Sequence, residues 1–205
     1  KTNILFYTKK TIKEELENKF KRIKDISLSI KHDTSLEVIL IEREAKYTWC
    51  GNIIGTNDLQ NEYSTNNNEK CYFMDEDGYI FDEAPYFSGE VYFKFYGKID
   101  SSSYFSKENF KQIISFINTL VNIKLKPTTL YLKDNGDMEI SLSKNASSKI
   151  QPLIILKTES DFQNIAENLE AALRTEPFKS EYKDKYSSLQ YIDLRFGNKV
   201  YYKFN

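Results

Sequence analysis

QYIDLRFGNKVYYKFN, residues Gln190–Asn205, alternates between apolar and polar side chains on both sides of a short turn. From Ile192 to Phe196 every second side chain is apolar, which is the period of a half-buried β-strand. The pair Gly197-Asn198 accepts positive φ angles and predicts a tight reversal. The period of two then resumes from Lys199 to Phe204. This stretch therefore predicts a β-hairpin at the end of the chain.

A hairpin in this position has no later strand to cover it. Unless an earlier strand pairs with it, the outer backbone N–H and C=O groups of its last strand are free. We interpret the segment Lys199–Phe204 as a docking strip to which a partner chain adds a strand. Its lysines discourage indiscriminate pairing, and its tyrosines supply amphipathic anchors.

Composition narrows the classes of function. The chain has 205 residues, with 29 basic and 30 acidic residues, and its formal net charge of −1 argues against nucleic acid as a partner. It has 14 Phe and 15 Tyr, residue types that favour strands and interfaces. No window approaches the roughly 20 apolar residues of a membrane span. Since the chain begins with Lys1 and lacks a signal peptide, we expect a soluble fragment excised from a longer protein.

The first forty-odd residues predict a small α+β module. Residues 3–7 can form a short strand, and a helix is predicted to follow, with Thr11 as its N-cap and Glu14 completing a capping box. Two period-two strands then flank a polar turn at residues 31–34. A module of this size is small for an independent core, so we expect it to lean on upstream residues or on its neighbour.

The remainder predicts a larger sheet. The polar segment 52–70 predicts a flexible loop, and two amphipathic helices follow later, one capped by Ser106 and one opened by a capping box at Ser160–Gln163. The second helix ends near Pro177 and leads into a polar linker. Strands before the terminal hairpin are predicted at residues 71–74, 79–81, 90–96, 128–132, 138–142 and 150–156. The fold class is α+β: a small module over residues 1–46, then a mostly antiparallel sheet domain with two helices over residues 47–205.

Two cysteines bracket the polar segment. If the chain is exported, Cys50 and Cys71 favour a disulfide that closes about twenty residues and contributes roughly 3 kcal/mol. The alternative is two buried free thiols. Zinc is not expected, since a structural site needs four ligands and His32 would be only the third.

The acidic residues around Asp75–Asp77 could suggest calcium or catalytic carboxylates. An EF-hand loop would need an acid where Phe73 stands, and Asp77-Gly78 is explained by a hairpin turn. His32, in a predicted turn, is the single histidine on which Ser-His or Cys-His catalysis would depend. We therefore expect no metal, no cofactor and no catalytic residue.

Three motifs together resemble the extracytoplasmic part of the FtsQ/DivIB family of bacterial cell-division proteins. Leu36–Arg43 (LEVILIER) is similar to the end of that family's POTRA domain, and Tyr72–Phe81 (YFMDEDGYIF) to the hairpin that opens its β domain. Tyr191–Phe196 (YIDLRF) is similar to its closing strand. The order of the motifs and their distances along the chain carry the resemblance.

The chain departs from the family pattern in several places. Ala45 stands where a proline is common, and Phe196 stands where some members have Tyr. The chain begins part-way through what would be the POTRA domain, so the module over residues 1–46 is expected to be incomplete at its N-terminus. Cys50 and Cys71 have no counterpart in the better-known members.

The resemblance implies a non-enzymatic scaffold of the divisome, active in septum formation. It implies a single-pass anchor in the cell membrane through a segment outside this chain, with this part on the extracytoplasmic side. The implied partners are coiled-coil division proteins of the FtsB/FtsL kind, added as a strand beside the last strand of the sheet. The implied contact residues are Arg195, Phe196, Asn198, Lys199, Val200, Tyr201, Tyr202, Lys203 and Phe204.

Two other classes of function remain open from the sequence. One is a POTRA-bearing module of an envelope transport or secretion system. The other is an envelope hydrolase that uses the carboxylates of Asp75–Asp77.

Overall fold

A computed structural model describes residues 8–32, 35–51, 70–88, 90–99, 101–148 and 150–205. The strand predicted at residues 3–7 lies outside the described residues. So does the predicted flexible loop, apart from Lys70.

The N-terminal module is one helix packed on a two-stranded antiparallel sheet. Helix α1 spans Lys9–Lys19, and strands β1 (Ile23–Lys31) and β2 (Ser35–Glu42) form the predicted hairpin. The N-cap is Thr8, whose Oγ1 accepts a hydrogen bond of 3.2 Å from the backbone N–H of Thr11. The prediction that Thr11 itself is the cap is wrong, because the helix begins earlier.

Burial within this module is slight. Helix α1 has no buried residue, and only Ile23 and Ile26 of the hairpin are buried. Along β2 four consecutive apolar side chains are between 42% and 54% exposed: Val38, Ile39, Leu40 and Ile41. Two strands and a helix cannot cover apolar side chains on both faces of one strand.

In the part of the chain that the structure describes, nine strands form the second sheet, in the order β11-β10-β9-β8-β7-β6-β3-β4-β5. The first seven in chain order are β3 (Tyr47–Trp49), β4 (Cys71–Met74), β5 (Ile80–Ala84), β6 (Lys94–Gly97), β7 (Pro127–Leu132), β8 (Asp137–Leu142) and β9 (Leu153–Lys157). The terminal hairpin supplies β10 (Leu189–Phe196) and β11 (Lys199–Phe204). The α+β class is confirmed, and the sheet is mixed: β3–β6, β6–β7 and β9–β10 pair in parallel and the other pairs are antiparallel.

Within the described residues, three α-helices accompany the second sheet, one more than the sequence predicts. Helix α2 spans Phe110–Asn122, α3 spans Phe162–Arg174 and α4 spans Phe178–Lys185. The predicted polar linker after Pro177 is thus wrong. The sequence of this segment resembles a linker because α4 is short and mostly charged, with Phe178 as its only buried residue.

The two helix starts also differ from the prediction. Helix α2 begins after Asn109 instead of after Ser106, whose φ of +51° bends the chain before the helix. The cap of α3 is Asp161, whose carboxylate accepts from the N–H of Asn164 at 3.1 Å. Ser160 instead accepts from the N–H of Lys157 at the end of β9.

The core lies between one face of the sheet and the helices. Its largest fully buried side chains come from β4, from β6 to β9, from α2 and from the segments beside α2: Met74, Phe95, Phe105, Phe110, Ile113, Leu120, Leu125, Leu130, Met138, Ile140, Leu142 and Ile154. Several of these are aromatic rings in edge-to-face contact, such as Phe95 with Phe105 at 5.0 Å. Along β8 and β11, polar or amphipathic side chains alternate with the core positions, whereas β9 has Leu153 and Ile155 at the alternating positions.

The disulfide between Cys50 and Cys71 is confirmed. It joins the end of β3 to the start of β4, directly beyond the paired residues Trp49 and Tyr72, with Cα atoms 4.1 Å apart. It therefore fixes the antiparallel register of the two strands that flank the polar segment.

Candidate functional site

The terminal hairpin forms as its alternation predicts. Strands β10 and β11 pair antiparallel, with Ile192 opposite Tyr202 and Asp193 opposite Tyr201. The turn between them contains Gly197, which has a φ of +65° and supplies the left-handed conformation that the reversal needs. The hairpin therefore places β11 outside β10 in the sheet.

Strand β11 is an edge of the nine-stranded sheet, and among the described strands its one neighbour is β10. Beyond β11, the backbone N–H of Asn205 donates to the carbonyl of Ser188 at 2.9 Å, toward the β10 side. Backbone groups alternate in direction along a strand, so Tyr201 and Lys203 also direct theirs toward β10. Val200, Tyr202 and Phe204 then present their N–H and C=O groups to the open edge. This is the geometry that strand addition requires.

One face of β11 anchors it to the core. The partly buried side chains of Val200, Tyr202 and Phe204 pack against the main apolar cluster. The ring of Tyr202 stacks on that of buried Phe178 in α4, with centroids 4.0 Å apart and planes 14° from parallel. Burial and then a hydrogen bond with Glu181 raise the pKa of the Tyr202 hydroxyl. These contacts hold the edge strand in place.

The other face of β11 is turned to solvent, and we call it the outer face: Lys199, Tyr201 and Lys203. All three side chains are exposed, Tyr201 by 47%. The ring of Tyr201 contacts that of Phe196 edge-to-face at 5.3 Å, and Phe196 is itself 56% exposed. The sequence places Phe196 on the same face as Ile192 and Leu194, which are buried. A shift of register between Asp193 and Phe196 moves it to the solvent side.

Arg195 differs from the other predicted contact residues because its guanidinium is occupied within the protein. It bonds both carboxylate oxygens of Asp193, at 2.9 and 2.7 Å, and the carboxylate of Asp137 on β8 at 2.7 Å. The hydrogen bond with Asp193, ahead of that with Asp137, raises the pKa of Arg195. This network positions the end of β10 and leaves the guanidinium little capacity for a partner.

Asn198 lies in the hairpin turn, where its side-chain oxygen accepts from the amide nitrogen of Asn164 in α3 at 3.4 Å. The structure thus places the nine predicted contact residues in three settings. Phe196, Lys199, Tyr201 and Lys203 share the solvent side, Val200, Tyr202 and Phe204 face the core, and Arg195 and Asn198 bond to other parts of the sheet domain.

The acidic residues around Asp75–Asp77 join the two modules. Asp75, fully buried, pairs with Arg43, and its Oδ1 accepts from the N–H groups of Asp77 and Tyr79, each at 3.0 Å. Around that centre, Lys24 pairs with Glu76 and lies 3.4 Å from Asp77.

Arg22 extends this joint by lying 3.6 Å from Asp82. Basic side chains of the N-terminal module therefore meet acidic ones along the β4–β5 hairpin, in its turn and in β5. Local pattern suggests a turn, a metal site or a catalytic site at these acids, and it gives no sign of their pairing with Arg43 at the end of the Leu36–Arg43 motif.

Gly78 completes the same turn. Its φ of +80° is left-handed, and a Cβ there would lie 2.8 Å from the ring of Phe110 in α2. The turn is therefore held against the core on one side and against Arg43 on the other. Among the described residues, no group of three or more His, Cys, Asp or Glu is arranged to hold a metal ion. His32 is exposed at the β1–β2 turn.

No helix within the described ranges is long and apolar enough to cross a membrane. No protein-family model matches the chain, and no curated protein sequence matches it.

Proposed function

We propose that this protein is a non-enzymatic scaffold for cell division, which binds partner division proteins by strand addition at β11. The observation that carries the proposal is the position of β11 at the edge of the described sheet. Tyr202 anchors the strand on Phe178, and alternation along the strand directs the backbone groups of Val200, Tyr202 and Phe204 away from β10. An exposed edge strand invites aggregation unless it is blocked or used. Strand β11 carries aromatic rings that can anchor a partner as well as lysines that limit aggregation, which favours a role in binding.

The three motifs that resemble the FtsQ/DivIB family support the cell-division context. Leu36–Arg43 closes the small N-terminal module, Tyr72–Phe81 forms the β4–β5 hairpin and Tyr191–Phe196 lies within β10. On this proposal the partners are coiled-coil proteins of the FtsB/FtsL kind. The chain acts on the extracytoplasmic side of the cell membrane, to which a single-pass segment outside this chain anchors it.

The test is amide hydrogen exchange on the chain alone and with the extracytoplasmic segment of the FtsB/FtsL-like protein from the same genome. We expect new protection at Val200, Tyr202 and Phe204, and little change in β1 and β2. A Val200→Pro variant removes one outward N–H and should abolish binding, whereas Val200→Thr, which keeps the N–H, should bind like the parent protein. Edge amides already protected in the free chain, or equal binding by both variants, would contradict the proposal.

A further inference from the structure

The charge on the outer face of β11 determines which kind of strand can dock there, given that the proposed function holds. Lys199 and Lys203 are exposed, and within the described part of the chain neither has an ion pair. Neighbouring carboxylates on the same face already have partners: Asp193 and Asp137 bind Arg195, and Glu139 binds Lys133. The two ammonium groups on the edge therefore have no internal counter-charge among these neighbours.

The spacing of these charges fits one face of an extended partner. Lys199 and Lys203 are four residues apart on the same face, or about 13 Å along a strand. Tyr201 lies between them, beside the exposed ring of Phe196. Along the outer face, an aromatic ring thus lies between two cationic side chains.

The opposite, core-side face of β11 favours apolar side chains in a partner. Val200, Tyr202 and Phe204 continue the apolar core to the edge, over Phe178. A strand added beside β11 extends this face as well, so its side chains there meet aromatic rings. Apolar residues at those positions exclude water from both sets of side chains.

We infer that the docking strip takes a segment with acidic side chains at two positions four residues apart, and apolar side chains at the intervening positions. The acids lie opposite Lys199 and Lys203, and an apolar side chain between them meets Tyr201. Opposite charges across a strand pair are favourable and like charges directly opposite are unfavourable.

The same rule disfavours a second copy of this chain as the occupant. Antiparallel pairing of β11 with β11 about a two-fold axis at Tyr201 places Lys199 of one copy opposite Lys203 of the other. In each of the two lysine pairs of such a dimer, the two ammonium groups would repel each other. The charge pattern thus disfavours self-pairing in this register and favours a partner that carries the opposite charge.

The experiment uses the whole chain and a synthetic peptide with the core sequence Glu-Val-Tyr-Val-Glu between soluble ends. A matched peptide replaces both Glu by Lys, and calorimetry at low ionic strength measures each affinity. We expect the Glu peptide to bind about tenfold more tightly than the Lys peptide, and a Lys199→Glu/Lys203→Glu variant to reverse that preference.

Amide exchange at Val200, Tyr202 and Phe204 distinguishes a failure of the charge selectivity from a failure of the docking strip itself. If both peptides protect these amides with equal affinity, the charge selectivity is overturned and the docking strip stands. If neither peptide protects them, the charge inference and the docking strip both fail. Protection that grows with protein concentration in the absence of peptide would instead show self-association and overturn the argument against a second copy.

Discussion

The guanidinium of Arg43 pairs with the carboxylate of Asp75 and lies 4.0 Å from the centre of the Tyr79 ring. Arg43 follows the last strand of the N-terminal module, and Asp75 begins the β4–β5 turn of the sheet domain. The Asp75 side chain is fully buried, so the pair is shielded from solvent. The two modules are thus joined by a charge pair that neither could satisfy alone.

Asp75→Asn should lower the free energy of unfolding by about 3 kcal/mol, because Arg43 then loses its counter-charge in a buried site. The measurement is chemical denaturation followed by fluorescence. Asp82→Asn is the control, since its pair with Arg22 is exposed on both sides, and it should cost less than about 1 kcal/mol. Equal losses in both variants would show that burial of the Arg43–Asp75 pair does not matter for stability.

The joint should weaken in acid. The hydrogen bond from Lys24 holds the pKa of Glu76 below its usual range. A carboxylate with a lowered pKa in the folded state stabilises the fold above its unfolded pKa of about 4.3, and that contribution is lost as the pH falls through the folded value. We expect a Lys24→Met variant to be less stable than the parent at pH 7 and the difference to shrink toward pH 3. A difference that stays constant across this range would contradict the assignment of the pKa shift to Lys24.

Arg195 should contribute to stability more than to binding. Removing it leaves Asp193, with a side chain only 8% exposed, without its counter-charge, so Arg195→Ala should cost about 3 kcal/mol of unfolding free energy. Arg195→Lys should recover only part of this loss, because an ammonium cannot reproduce the fork that bonds two carboxylates. An Arg195→Ala variant as stable as the parent but unable to bind its partner would instead make Arg195 a direct contact.

Adjacent tyrosines on β11 should separate folding from binding. Tyr202→Ala removes a ring stacked on Phe178 and should cost about 2–3 kcal/mol of unfolding free energy. Tyr201→Ala removes an exposed ring and should change stability by less than about 0.5 kcal/mol while weakening partner binding. Thermal denaturation and a binding assay on the two variants test the distinction. Comparable destabilisation by both substitutions would show that Tyr201 also supports the fold.

Periodicity predicted most elements of this fold because it depends on local chemistry. The β1–β2 hairpin, the β7–β8 hairpin around residues 134–137 and the terminal hairpin all have apolar residues at every second position, and all three form. Capping was less predictable, since several Ser, Thr and Asp residues near a helix start can each serve as the cap. Thr8 and Asp161 serve where Thr11 and Ser160 were expected.

The charged helix α4 shows where local pattern fails. Its residues 178–185 carry an apolar stripe of only two rings: Phe178, which is buried, and Tyr182, which is partly buried against the core. The helix is recognisable only from the tertiary structure, because its buried anchor Phe178 packs against Tyr202 from a strand more than twenty residues later. The order of the strands, with parallel pairs between segments distant in sequence, depends on the same long-range packing.

The sequence by itself determined the terminal hairpin, its alternating faces and its turn, because side-chain alternation and the tolerance of Gly197 for positive φ are local properties. Only the tertiary structure decided that Phe196 turns outward, that Arg195 is held by two carboxylates and that Asp75 binds Arg43. These outcomes depend on a register shift and on side chains that approach each other from distant strands. The local sequence pattern determines which segments become helices and strands. Which charged side chains pair, and which faces are buried, depends on the elements that packing of the core brings together.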